Sequence, residues 1–144
     1  MILRREVIGD RIDHLRSVTR RLDEIRTANR DEFLASYQLQ WIAERGLQLA
    51  AQAVFDIGTH ILSGHFDVHP ADYEDVIRLL GVHGVVAPEV ERRLRGLGGF
   101  RNILVHGYLE IDEDRVYGFL QDESRVFRDY ADAIEVWVTS ERGE

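Results

Sequence analysis

Between Ile8 and Ile25 the apolar residues of this 144-residue chain fall at Ile8, Ile12, Leu15, Val18, Leu22 and Ile25. The spacings, 4, 3, 3, 4 and 3, follow the period of an α-helix, not the alternation of a strand. Such a stripe has to be covered by other apolar surface, and the rest of the chain offers it in the same period. Phe33, Leu34, Tyr37, Trp41, Leu47, Ala50, Ala51, Val54, Ile57 and Ile61 predict one long second helix over 31–62. Asp31 would be its N-cap or an acid in its first turn, and Gly46 or Gly58 would kink it. The stretch "SGHFDVHPADYED" then breaks the pattern: Gly64 suits a helix end, and Pro70 suits the first turn of a short third helix over 70–80. A fourth segment starts at Pro88. A fifth covers about 113–139, with Val116, Leu120, Phe127, Tyr130, Ile134 and Trp137 on its inner face. No stretch reads as a convincing strand, and there is no internal repeat. The expected fold is all-α, a four- to five-helix up-down bundle forming one domain over 1–144.

Composition narrows the function classes. With 44% apolar and 31% charged residues the chain is neither disordered nor a membrane protein. No apolar run approaches the roughly 20 residues that cross a bilayer, and "MILRREVIGDR" lacks the apolar core of a secretion signal. A cytoplasmic protein is expected. The absence of cysteine excludes disulfides, a thiolate nucleophile and any zinc–cysteine site. A net charge of −8 argues against a broadly basic nucleic-acid surface. The charge is unevenly spread, however. From Pro88 to Tyr108 four arginines outweigh two glutamates, and from Glu110 to Glu135 nine acids outweigh three arginines. All 18 basic residues are arginine, which genome composition explains as readily as selection for phosphate contacts.

One stretch departs from ordinary amphipathic helix: "GLGGFRNILVHGYLEIDED", 96–114. At about 100° per residue, Val90, Leu94, Leu97, Phe100, Ile103 and Leu104 form the stripe that faces the bundle. Asn102 and His106 are four apart and share a face pointing away from Leu104. Arg101 flanks the stripe, Gly107 loosens the helix end, and Tyr108 lies seven residues beyond Arg101. Glycine costs a helix interior about 1 kcal/mol relative to alanine. Gly96, Gly98 and Gly99 therefore point to a close backbone approach, as by a second subunit, or to a hinge between two shorter helices. Imidazole moves protons near neutral pH, and guanidinium stabilises charge on phosphate oxygens. Together they suit attack of an RNA 2′-hydroxyl on the adjacent phosphodiester. By itself, an exposed His beside an Arg is more often a solvated pair than a site, and Tyr108 could equally be a tyrosine packed at a helix end.

"GFRNILVHGY" resembles the R-x4-H-x-Y signature of HepT-like toxins, in the HEPN superfamily of helical ribonucleases, and the five-segment layout is similar along nearly the whole chain. The resemblance implies a metal-independent endoribonuclease without a cofactor. Arg101 and His106 would be its catalytic pair, and Asn102 would help to position them. It also implies a homodimer with the two motifs facing across a cleft, in which two histidines can divide the acid and base roles. The implied partner is a nucleotidyltransferase (MntA-like) antitoxin of a type VII-like toxin–antitoxin system. Such an antitoxin transfers AMP from ATP to the motif tyrosine, here Tyr108.

Around the motif, Arg92, Arg93 and Arg95 are either an RNA-contacting rim or a solvated face. Asp56 and His60, four apart, either line the cleft or make a surface ion pair. His60, His65 and His69 do not share a helix face, so no metal site is expected. The acidic run after Tyr108 either meets a basic antitoxin surface or caps the fifth segment through Asp112 and Glu113. The competing reading is a non-catalytic helical partner that presents substrate to a nucleotidyltransferase.

Overall fold

The computed structural model describes residues 4–106 and 111–141, with the side chains of 105, 106 and 141 left aside. Every regular element among them is helical: α1 (Arg5–Ile25), α2 (Arg30–Leu34), α3 (Tyr37–His65), α4 (Tyr73–Val82), α5 (Pro88–Leu94), α6 (Leu97–His106), α7 (Glu113–Gly118), a π-helical turn (Phe119–Glu123) and α8 (Val126–Glu141). The predicted stripe of α1 is buried at Ile8, Ile12, Leu15, Val18 and Leu22. It lies antiparallel to α3, because Arg11 reaches Asp56 while Leu22 packs on Gly46. Along the other side of α1 runs α8, also antiparallel, with Arg16 held by Asp132 and Glu135 and Arg128 by Asp23. One apolar cluster joins these helices through Phe55, Ile77, Phe100, Phe127 and Tyr130, and the buried Tyr130 hydroxyl donates to the Val54 carbonyl at 2.9 Å. No described helix is long and apolar enough to cross a membrane.

The five segments are present, and capping decides where they break. Asn29 caps the second, and Asp31 is an acid in its first turn. The Asn29 side chain accepts the Glu32 N–H at 2.9 Å while the Glu32 carboxylate accepts the Asn29 N–H at 3.1 Å, a reciprocal capping box. That helix stops at Leu34, and Ser36 starts α3 afresh by accepting the Leu39 N–H. From there α3 runs as one helix through Gly46 and Gly58 and past Gly64. Helix α4 begins at Tyr73 and not at Pro70, because Asp72 caps it by accepting the Asp75 N–H at 2.8 Å.

The fourth segment is two helices. Arg95 is extended and Gly96 sits at φ +85°, a left-handed conformation that only glycine adopts without strain. The fifth is also interrupted. Its π-helical turn is closed by the Ser124 N–H donating to the Phe119 carbonyl, and Phe119 stacks on Phe100 at 4.3 Å. Asp112 caps α7, one of the two readings of the acidic run, accepting the Asp114 and Arg115 N–H groups.

Large apolar side chains gather outside the core on one stretch. Leu34 at the end of α2 and Tyr37 (79% exposed), Trp41 (70%) and Ile42 at the start of α3 are exposed, and Trp41 and Ile42 line a groove of about 550 Å³ against α1.

Candidate functional site

The break at Gly96 sets the direction of α6, and α6 carries the motif. Its first bond runs from the Phe100 N–H to the Gly96 carbonyl at 3.0 Å. Leu97, Phe100 and Leu104 are buried as the stripe predicts, and Ile103 is half-buried at its margin. Gly98 packs against the start of α4, where an added Cβ would stand 2.9 Å from the Tyr73 Cβ. The close approach inferred from the glycine cluster is thus made here by α4 of the same chain, and the hinge is made by Gly96.

Arg101, half-buried beside the stripe, is held on two sides. Its Nη2 donates to Gln52 Oε1 of α3 at 2.7 Å. Its guanidinium carbon stands 5.0 Å from the centre of the Tyr73 ring, within cation–π range. Its Nε is buried without a hydrogen-bond partner among the described residues. Tyr73 is itself braced by the Phe55 ring at 4.3 Å. Asn102 is exposed, as its place opposite Leu104 requires. His106 ends α6, and its side chain lies outside the described residues, as does all of Tyr108.

Behind Arg101 the contacts continue along α3. Gln52 Nε2 donates to Asp56 Oδ1 at 2.8 Å, and Arg11 Nη1 reaches Asp56 Oδ2 at 3.3 Å. Asp56 therefore joins a chain that ends on the motif arginine, and its ion-pair partner is Arg11 rather than His60. Nε2 of His60 accepts the Arg4 backbone N–H at 3.0 Å. Burial first, and the charges of Arg11 and Arg4 after it, hold His60 below its ordinary pKa, so this imidazole is a neutral acceptor. Gln52 and Tyr73 escape sequence reasoning because neither carries a charge or matches a motif. The one trace is that Gln52 stands four residues before Asp56.

Arg92, Arg93 and Arg95 line a cleft of about 680 Å³ with Phe100, Arg115, Phe119, Asp122 and Glu123. Arg93 is engaged by Asp129 at 2.7 Å and Glu89 at 3.4 Å, and Arg95 by Glu91 at 2.9 Å. Arg101 is not part of this wall, since it leaves α6 one residue past Phe100, about 100° round the helix. The three arginines, on α5 and the joint after it, thus stand apart from the face of α6 that carries Arg101. His65 packs edge-on against Trp137, and His69 lies 3.5 Å from Asp67. Among the described residues, no three His, Asp or Glu side chains gather to hold a metal ion.

Known proteins are similar to this chain in sequence and share its fold. The family model described as "Ribonuclease HepT-like" matches residues 11–134. A tRNA nuclease HepT from Aphanizomenon flos-aquae is 34% identical over 114 residues, covering 79% of this chain and 73% of that protein. An mRNA nuclease HepT from Shewanella oneidensis is 25% identical over 130 residues, 90% of this chain and 97% of the relative. Among solved structures, a tri-AMPylated HEPN toxin from Shewanella oneidensis, in complex with an MNT antitoxin, superposes with a TM-score of 0.83. It has 24% identity, covers 92% of this chain and is itself 99% covered. The match across 11–134 and the 34% identity with the Aphanizomenon flos-aquae relative lead to one assignment: this chain belongs to the ribonuclease HepT-like family.

Proposed function

We propose that this chain is the toxin of a type VII-like toxin–antitoxin pair, a metal-independent endoribonuclease that works as a homodimer in the cytoplasm. The observation that supports it most is Arg101 itself, fixed by Gln52 and Tyr73 at the motif position of α6. The related nucleases and the motif add the chemistry. The imidazole of His106 takes the proton of an RNA 2′-hydroxyl, and the 2′ oxygen attacks the adjacent phosphorus. Arg101 stabilises the charge that grows on the phosphoryl oxygens. The bond from phosphorus to the 5′ oxygen breaks, and that oxygen takes a proton from the imidazolium of the second copy. The products are a 2′,3′-cyclic phosphate and a 5′-hydroxyl. Asn102 steadies the pair from the exposed face of α6.

The partner is a nucleotidyltransferase antitoxin that moves AMP from ATP to the Tyr108 hydroxyl and releases pyrophosphate. The AMPylated relative, solved with its antitoxin, supports this reading. Phosphates added near Arg101 occupy the guanidinium and repel RNA. Arg92 and Arg95 serve RNA only if the strand bends round α6 from their cleft.

The test is RNA cleavage by protein of verified unmodified mass, in a chelator, wild type against His106→Ala. Wild-type cleavage that the substitution abolishes is expected. Cleavage that survives His106→Ala would overturn the mechanism. No cleavage by clean wild type on several RNAs would favour the non-catalytic partner instead.

A further inference from the structure

We infer that Gln52 and Tyr73 are positioning residues that hold the Arg101 guanidinium in its working orientation before RNA arrives, with Asp56 and Arg11 fixing Gln52 from behind. The inference rests on the ribonuclease reading for its catalytic consequence, but the clamp itself stands on geometry. A glutamine amide has one accepting end and one donating end. The Asp56 carboxylate, paired with Arg11, only accepts, so at 2.8 Å it takes the Nε2 end and leaves Oε1 to face Arg101. Turned over, the amide would set N–H against N–H and oxygen against carboxylate. Arg11, on Asp56 Oδ2, holds the carboxylate in place. One chain of polar contacts thus determines how the guanidinium is turned.

Tyr73 supplies the second constraint. Its ring lies against the guanidinium on one side and is backed by Phe55, while Gly98 keeps α6 close enough for the contact to form. Of the two edges of the Arg101 fork, the one carrying Nε and Nη2 is turned into the protein, with Nε buried and Nη2 bound to Gln52. An incoming phosphate therefore meets the end of the fork, Nη1 and the second N–H of Nη2. A free arginine side chain loses rotamer entropy on binding, which a clamp removes before the substrate arrives.

Two readouts on the full-length protein test this. The first is the Arg101 Nε–H resonance in a nitrogen-15 NMR spectrum, assigned by its loss in Arg101→Lys. It should be resolved and slow to exchange in wild type and in Tyr73→Phe, which keeps the ring. It should broaden in Gln52→Met, close in size but without the amide, and in Tyr73→Leu. An unchanged resonance in both Gln52→Met and Tyr73→Leu overturns the clamp.

The second readout is steady-state cleavage. Gln52→Met should lower kcat by about 10- to 100-fold, the scale of a misplaced catalytic group, with KM and melting temperature nearly unchanged. Tyr73→Phe should retain kcat, whereas Tyr73→Leu should not. A wild-type level of kcat in Gln52→Met, or a loss shared equally with melting temperature, overturns the positioning role. If wild type cuts no RNA, the ribonuclease reading falls and takes the catalytic consequence with it. The resonance still decides whether the clamp exists.

Discussion

Glu44 of α3 and Glu113 at the start of α7 each bury one carboxylate oxygen that has no hydrogen-bond partner among the described residues. Burial first, then the hydrogen bond and charge of Glu44 and the charge of Asp112, push Glu113 up to about 7 from an ordinary 4.5. Between those two values the folded chain holds more protons than the unfolded one, so stability falls as pH rises through that window and levels off above it. Melting temperature should therefore decline between pH 5 and pH 7, within the window that Glu113 sets, and change little above it. Glu113→Gln should flatten the decline and raise the melting temperature at the alkaline end. An equally steep profile in the variant would show that the pair is not its source. Sequence gives no hint of this pairing. Glu113 reads there only as an acid in the first turn of a helix, and nothing local says that folding presses it against Glu44. Gln52 hides for a related reason: its role lies entirely in what two other helices bring to it.

The length and order of the elements were largely readable, because apolar period survives whatever the tertiary contacts do. Their joints were less so. Asn29 and Ser36 are ordinary polar residues until a helix starts after them, and the π-helical turn at Phe119 depends on Phe100 stacking from another helix. The joint that matters most for the site was only half visible. Three clustered glycines signalled a constraint, yet periodicity could not say which one turns the backbone. Gly96 does so, at φ +85°, and an added Cβ there meets no neighbouring atom, so its cost is conformational and not steric. Gly96→Ala should therefore destabilise the protein by about 1–2 kcal/mol, the strain of an L-residue held left-handed, read as a lower urea midpoint with an unchanged slope. Stability equal to wild type would mean that α5 and α6 can join by another route.

Taken whole, the molecule is acidic, with Arg92, Arg93, Arg95 and Arg101 close in sequence around the candidate site. The −8 net charge repels a polyanion, so on the ribonuclease reading proposed above RNA affinity has to come from a small number of local contacts. The logarithm of the binding constant should fall with the logarithm of salt at about 0.7 per phosphate contact on a single strand. Replacing Arg92 with alanine should reduce that slope if RNA reaches the cleft beyond Phe100. It should leave the slope unchanged if RNA stays on the Arg101 face. The motif could be read from the chain because Arg101, Asn102 and His106 are close in sequence. The cleft could not, since its walls come from α5, α6 and the π-helical turn. The two tryptophans offer an optical consequence of the same architecture. Trp137 is 7% exposed in the core, while Trp41 is 70% exposed on α3, at a helical spacing that aligns it with Gln52. Emission from the first reports folding alone. Emission from the second is free to move to the blue whenever a macromolecule settles along the face that leads to Arg101, so the chain carries an intrinsic probe for its own complexes.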